Sequence, residues 1–567
     1  MINKPLLDYH RPVEKSLIKA LEYKHGTYCR SKNKKDDLLV IKENIHTVDG
    51  EIIPNLLLIK NYQRPFYVTK KFYRDHDDKK EWEDIKKLDC FYTPQINLSV
   101  SINRALERFN FQGNLRVLGR SPYLYGTDVS PLSLLSHQYK KEFPEVFSNN
   151  TVAVLDIETD VVKGTKAIIS IALTYKERAF LTITKDFIGE NPFFEEQLRK
   201  KIDELIGPII KKRQCKVEIL IADTPGQACY ETLKRAHEWQ PDFVTIWNMN
   251  YDLPYIKETL LKEGYDLDAV FSDQRVPPEY QFYKYVEGLS VKLKAGGVMD
   301  PIPVAERWHT AYCPARFYFI DSMCLYRRLR LAEQNEPSYS LDYQLNNHLG
   351  MRKLNIEGER DTHDTDWHVS MQKNRKPEYI VYNLFDCIGV ELFDEKVKDL
   401  QKNISIQAGV SEYRSFKSQP KLLVDQLHFF CLEQGKVIGS VSDQMIDELD
   451  KYVTHGDGWV ITLPAHLRTP SIINCVKELP NVHTEVSTHV SDLDIEGAYP
   501  TGQVVLNISK ETTLRELFSI EGIPEEVKRA NSINLTAGHV NAVEFCEAIF
   551  SLPSFDQMLD RFNSPTH

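Results

Sequence analysis

Thr151-Val152-Ala153-Val154-Leu155-Asp156-Ile157-Glu158 opens with five residues of strand character and ends on two carboxylates one residue apart. Side chains alternate faces along a strand, so Asp156 and Glu158 point the same way. Two like charges held that close are costly until a cation neutralises them. The pattern suits a divalent-cation site for attack on a phosphodiester. An exposed strand end is the plain alternative, and carboxylates arriving downstream decide between the two.

Around this stretch the chain reads as α/β and multi-domain. Strands are expected at Ala167–Thr174, Ala179–Thr184, Val217–Ile221 and Phe243–Trp247, with helices over Glu195–Ile206 and Tyr255–Glu263. The opening strand from Thr151 and the strands at Ala167–Thr174 and Ala179–Thr184 read as an antiparallel meander within a mixed sheet. Residues 1–150 form an N-terminal α+β domain, with strands at Ile52–Ile59 and Arg64–Val68 and a highly charged loop or helix over Asp75–Lys87. The boundary falls at Ser148-Asn149-Asn150. Residues 151–395 form the second domain. Residues 396–567 make a third segment, with a helix over Lys421–Gln434 and strands at Trp459–Leu463 and His489–Ile495.

Composition sets limits on function. The 567 residues are 42% apolar and 27% charged, ample for several cores. No run of about 18 uncharged apolar residues is present, so no membrane-spanning helix is expected. The first residues lack the apolar stretch of a signal peptide. Ten cysteines include no Cys-x-x-Cys pair, which argues against a zinc ribbon or a disulfide framework and fits a reducing cytoplasm. The net charge of −10 leaves nucleic-acid binding to local patches such as Lys211-Lys212-Arg213 and Arg327-Arg328 with Arg330. Solvated helix faces are the other reading of both.

Two further carboxylates stand in suggestive places. Asn248-Met249-Asn250-Tyr251-Asp252 follows an apolar strand and leads into a helix. Asp252 there either faces a cleft or caps the helix, with Pro254 in the first turn. Tyr382-Asn383-Leu384-Phe385-Asp386 lies in a helical pattern, and Tyr382 and Asp386 share a face at i and i+4.

Taken together, Asp-x-Glu, Asn-x-x-Tyr-Asp and Tyr-x-x-x-Asp, in this order, resemble the proofreading 3′–5′ exonuclease domain of family-B DNA polymerases of the tailed-phage type. Phe319–Tyr326 and Pro337–Tyr343 are similar to the stretch between that family's second and third exonuclease motifs. The resemblance implies an RNase H-like fold in which Asp156, Glu158, Asp252 and Asp386 bind two divalent cations, Mg²⁺ or Mn²⁺. These would activate the attacking water and stabilise the leaving 3′ oxygen. Tyr382 would orient the water or the phosphate, and Asn248 and Tyr251 would contact the strand.

Asp492-Leu493-Asp494-Ile495-Glu496-Gly497-Ala498-Tyr499-Pro500-Thr501 resembles the first polymerase motif of the same family, and Asn507–Thr512 also matches the phage pattern. The resemblance makes Asp494 a metal ligand of the palm, assisted by the carbonyl of Ile495. Tyr499 would pack beneath the incoming sugar and exclude a 2′-hydroxyl. Ala498 and Thr501 depart from the family's larger residue and its Ser. The second palm Asp and the fingers Lys are not found after Asp494. Asp364-Thr365-Asp366 precedes the exonuclease helix without an apolar hairpin around it. Lys528-Arg529-Ala530-Asn531-Ser532 is one residue short and lacks a following Tyr-Gly. The expectation is therefore a DNA polymerase chain with a complete proofreading exonuclease and a partial palm. Its partners would be single-stranded and primer–template DNA, a second polypeptide that completes the polymerase, and a sliding clamp, in the cytoplasm of an infected bacterium. A stand-alone 3′–5′ exonuclease is the alternative. A non-enzymatic RNA- or partner-binding role fits the four carboxylates least.

Overall fold

Apolar runs in the first hundred residues fold as strands, as their composition predicts. β1 (Ile18–Arg30), β2 (Asp37–Thr47) and β3 (Ile52–Lys60) form an antiparallel sheet in that order. β4 (Arg64–Thr69) lies between β6 (Leu88–Thr93) and β7 (Leu124–Tyr125) in a second sheet, while the short β5 (Trp82–Asp84) pairs with Lys436–Ile438. α1 (Leu98–Ala105) and α2 (Leu115–Leu118) bury Leu98, Ile102 and Leu118 against Phe66 and Val68. α3 (Pro131–Glu142) packs Leu132, Leu135 and Tyr139 on Leu21, Leu39 and Ile41. The charged stretch Asp75–Lys87 is neither wholly loop nor α-helix. It contains β5 and a 3₁₀ turn, Ile85–Lys87.

The computed structural model describes residues 4–108, 114–293, 299–331, 333–356, 364–403 and 419–444. Asp494, Ile495 and Tyr499, and the expected strands at Trp459–Leu463 and His489–Ile495, lie outside these described residues. The molecule is mixed α/β with several sheets, and it divides into two units, Met1–Asp443 and Gln444–His567.

The largest sheet is built from β8 (Val152–Thr159), β9 (Ile168–Tyr175), β10 (Arg178–Thr184), β11 (Lys216–Ala222), β12 (Phe243–Ile246) and β17 (Tyr318–Asp321). Their order is β11-β10-β9-β8-β12-β17. β8, β9 and β10 form the expected antiparallel meander, whereas β11 joins β10 in parallel and β12 lies parallel to both β8 and β17. Strand alternation sorts the core. Ala153, Leu155 and Ile157 face α6 (Pro225–Trp239) and α7 (Met249–Lys262). Val154 faces the other layer, formed by α5 (Phe194–Lys212), α10 (Leu341–Leu349), α11 (Thr365–Asn374) and α12 (Lys376–Val397). Asp156 and Glu158 share the parity of Val154, so both point towards α12. That helix is buried along most of its 22 residues, as a helix lying between a sheet and other helices must be, and its buried face includes Asn383 and Asp386.

Two helices outrun their sequence expectations. α5 continues through Gly207-Pro208, a pair that reads as a stop, to Lys212. α7 starts at Met249 with Asn248 as its N-cap, which puts Pro254 inside the helix rather than in its first turn. Three arginines of the basic clusters have ion-pair partners. Arg213 pairs with Glu391 and Glu395, Arg327 with Glu306, and Arg330 with Asp399. Among the described residues no helix is long and apolar enough to cross a membrane, and the eight described cysteines are free thiols.

Candidate metal centre

Asp156 and Glu158 lie opposite Ala172 and Ser170 in the β8–β9 register, with their carboxylates towards α12. α12 answers them at matching intervals. Asn383 donates from Nδ2 to Asp156 Oδ2 at 2.7 Å, and the Tyr379 hydroxyl, one turn earlier, donates to Glu158 Oε2. Asp386, the next residue on this face, brings a third carboxylate. The ligand oxygens of Asp156, Glu158 and Asp386 lie within 4.8 Å of one another, with Asp156 half-buried and the other two buried. This triad could hold a metal ion.

Asp252 arrives from the other side of the sheet. β12 pairs with β8 only as far as Val154, which leaves the next stretch of β8 without a strand on that side. Asp252 Oδ1 accepts the Ile157 N–H there at 3.1 Å. The carboxylate thus caps the strand between Asp156 and Glu158 instead of its own helix. It stands beside the triad rather than within it. Asp321 sets the start of α7 by accepting the Met249 N–H at 2.8 Å, and it also caps the helix α9 (Ser322–Leu329) by accepting the Cys324 N–H at 2.7 Å.

The charge is unbalanced. Lys353 Nζ donates to Asp386 Oδ2 at 2.6 Å and to the Tyr382 hydroxyl at 2.8 Å, one cation against four carboxylates. Burial works against the Lys353 charge, but Asp386, Asp156 and Glu158 outweigh it and hold its pKa above the ordinary value. Burial, then the Asp386 charge, pushes Asp156 up to about 7 despite Lys353 and the Asn383 hydrogen bond. Glu158 and Asp252 are raised well above the usual carboxylate range, in each case by burial first and then by Asp156. These are the marks of a carboxylate cluster that lacks enough positive charge. Its hard oxygen donors suit Mg²⁺ or Mn²⁺.

Beside the triad opens a cleft of about 910 Å³ lined by Trp247, Asn248, Met323, Lys353, His368 and Tyr382, among others. Asn248 sits at its wall, and its Oδ1 is buried without a hydrogen-bond partner among the described residues. Tyr251 is 42% exposed, and its hydroxyl shares a hydrogen bond with Thr159 Oγ1 at 2.9 Å, next to Glu158. Tyr382 packs on Trp367 and is raised well above 10, by burial first and then by Asp386, so its phenol stays neutral. Asp364, of the Asp-Thr-Asp look-alike, is the N-cap of α11.

The residue spacing in the sequence misses Lys353, Tyr379 and Asn383. Tyr379 and Asn383 carry a signal, because they extend the Tyr382–Asp386 face at helical spacing. Lys353 carries none, since nothing in Met351-Arg352-Lys353-Leu354 marks it. No family model matches the chain, and no curated protein matches it.

Proposed function

We propose that this chain is a divalent-cation-dependent 3′–5′ DNA exonuclease of the proofreading kind, with an RNase H-like nuclease unit built on the six-stranded sheet. The observation that carries the reading is the meeting of Asp156, Glu158 and Asp386 beside an open cleft, with Asp252 next to them. Carboxylates from the first strand, a strand-to-helix junction and a helix of the covering layer support the RNase H-like assignment.

Asp156, Glu158 and Asp386 would hold the first cation, and Asp252 with Asp156 would contribute to a second. Bound there, the cations supply a lowered pKa for the attacking water and stabilisation of the departing 3′ oxygen. The chain's own residues do the rest. Lys353 fixes Asp386 and Tyr382 together and adds positive charge where a phosphodiester must sit. Tyr382, neutral at all working pH values, orients by hydrogen bonding and does not act as a base. Asn248 and the exposed ring of Tyr251 offer an amide and a stacking face to the terminal nucleotides.

The segment Asp492–Thr501 favours placing this nuclease within a family-B DNA polymerase chain, with Asp494, Ile495 and Tyr499 at a synthetic site. Primer–template DNA and a sliding clamp are the proposed partners. The test uses the purified chain and a 5′-labelled single-stranded oligonucleotide with Mg²⁺ or Mn²⁺. A ladder that shortens stepwise from the 3′ end, absent with EDTA and in Asp386→Ala, is expected. An intact oligonucleotide, or internal cuts alone, would overturn the reading. The chain by itself should add no nucleotide to a primed template.

A further inference from the structure

Glu158 is held by a relay that the proposed reaction does not itself require. Its Oε2 accepts from the Tyr379 hydroxyl. That hydroxyl has one hydrogen, and Glu158 takes it. The other contacts to the phenol oxygen must then be donated to it. Gln372 Nε2 lies 3.2 Å away and His368 Nδ1 2.8 Å away. With Glu158 ionised, His368 therefore carries its proton on Nδ1. His368 and Gln372 stand one turn apart on α11, so both reach the same atom. Gln372 also ties α11 to the end of β8, donating to the Thr159 carbonyl at 2.8 Å and accepting the Val161 N–H at 3.1 Å.

The register explains why one helix can orient both carboxylates of β8. Four helical residues rise about 6 Å, and two strand residues rise about 6.7 Å. Tyr379 and Asn383 are four apart, and Glu158 and Asp156 are two apart. Each donor on α12 thus meets its own carboxylate, and Asp386 follows at the next position as a ligand in its own right. The choice of donor is also informative. A lysine beside Glu158 would neutralise it and compete with a bound cation. A phenol fixes the oxygen and leaves its charge for the cation.

We propose that Tyr379, braced by His368 and Gln372, is a positioning residue that aims Glu158 at the cation and so sets the affinity of the centre. This rests on the cation-site reading of Asp156, Glu158 and Asp386. Tyr379 is fully buried behind Glu158 and acts through it.

The test is a Mn²⁺ titration of the full chain, read as the loss of the free-Mn²⁺ electron paramagnetic resonance signal. Tyr379→Phe keeps the ring, which packs with Trp367 and Tyr382, and removes only the hydroxyl. Half-saturation should move to roughly 10- to 100-fold higher Mn²⁺, the usual effect of losing an outer-shell partner. Nuclease rate at saturating Mn²⁺ should recover, because affinity and not chemistry is lost. His368→Ala should shift half-saturation less, since Gln372 still braces the phenol. His368→Asn, which keeps an N–H donor near the Nδ1 position, should restore the wild-type curve. Matching curves for wild type and Tyr379→Phe, or a His368→Asn curve no better than that of His368→Ala, would overturn the proposal. A wild-type chain that binds Mn²⁺ through Asp386 but trims no DNA would remove the nuclease reading and leave this one standing. A wild-type chain that binds no Mn²⁺ would remove both.

Discussion

Replacing Asp156 with Asn should stabilise the cation-free protein while it disables the centre. Burial and the neighbouring Asp386 raise the Asp156 carboxyl from 3.8 to about 7. An acid raised in the folded state binds its proton more tightly folded than unfolded. Stability is therefore highest below the unfolded value, near pH 4, and falls as pH rises towards about 7. A rise of about three pH units corresponds to roughly 4 kcal/mol at about 1.36 kcal/mol per unit. Asp156 is only half-buried, and solvent screening brings the expected effect to about 2 kcal/mol. Asn removes the charge and can still accept from Asn383 Nδ2. Urea denaturation in EDTA at pH 8 should show Asp156→Asn about 2 kcal/mol more stable than wild type, with the gap narrowing as pH falls and closing only near the unfolded value of about 4. Adding Mn²⁺ should stabilise the wild type and not the variant. An Asp156→Asn chain equal to or weaker than wild type in EDTA at pH 8 would refute the charge argument.

Lys353→Met removes the cation bonded to Asp386 and Tyr382; nuclease rate at saturating Mn²⁺ should fall by about 10²-fold, the scale of losing one preorganised donor. An unchanged single-turnover rate would remove Lys353 from the reaction. Tyr251→Ala deletes an exposed ring beside the centre and should raise KM for a single-stranded oligonucleotide, by roughly 5- to 100-fold if the ring stacks on one base, with kcat little changed. A fall in kcat alone would argue against strand binding by that ring.

The candidate centre was legible where its geometry lies inside one element. Strand alternation puts Asp156 and Glu158 on one face, and helix periodicity puts Tyr382 and Asp386 on another. The contacts between elements were not legible. Nothing local says that β8 and α12 meet in a register that pairs Asn383 with Asp156, or that Lys353 reaches Asp386 from 33 residues upstream. Asp252 shows the same limit. Its spacing permitted a helix cap, and the structure gives it a strand N–H instead because β12 stops pairing with β8 at Val154. The large sheet was mostly readable from its apolar runs. Two helices run through Gly207-Pro208 and Pro254, where tertiary packing carries a helix past residues that usually interrupt one. Arg213, Arg327 and Arg330 likewise find carboxylates that only the fold brings near.

Asp156, Glu158 and Asp386 stand together as the candidate cation site. Anomalous scattering from a Mn²⁺-soaked crystal of the full chain tests it most directly. A manganese peak should lie among these three carboxylates in the wild type and vanish in Asp386→Ala. A peak elsewhere, or none at the triad with Mn²⁺ in excess, would contradict it.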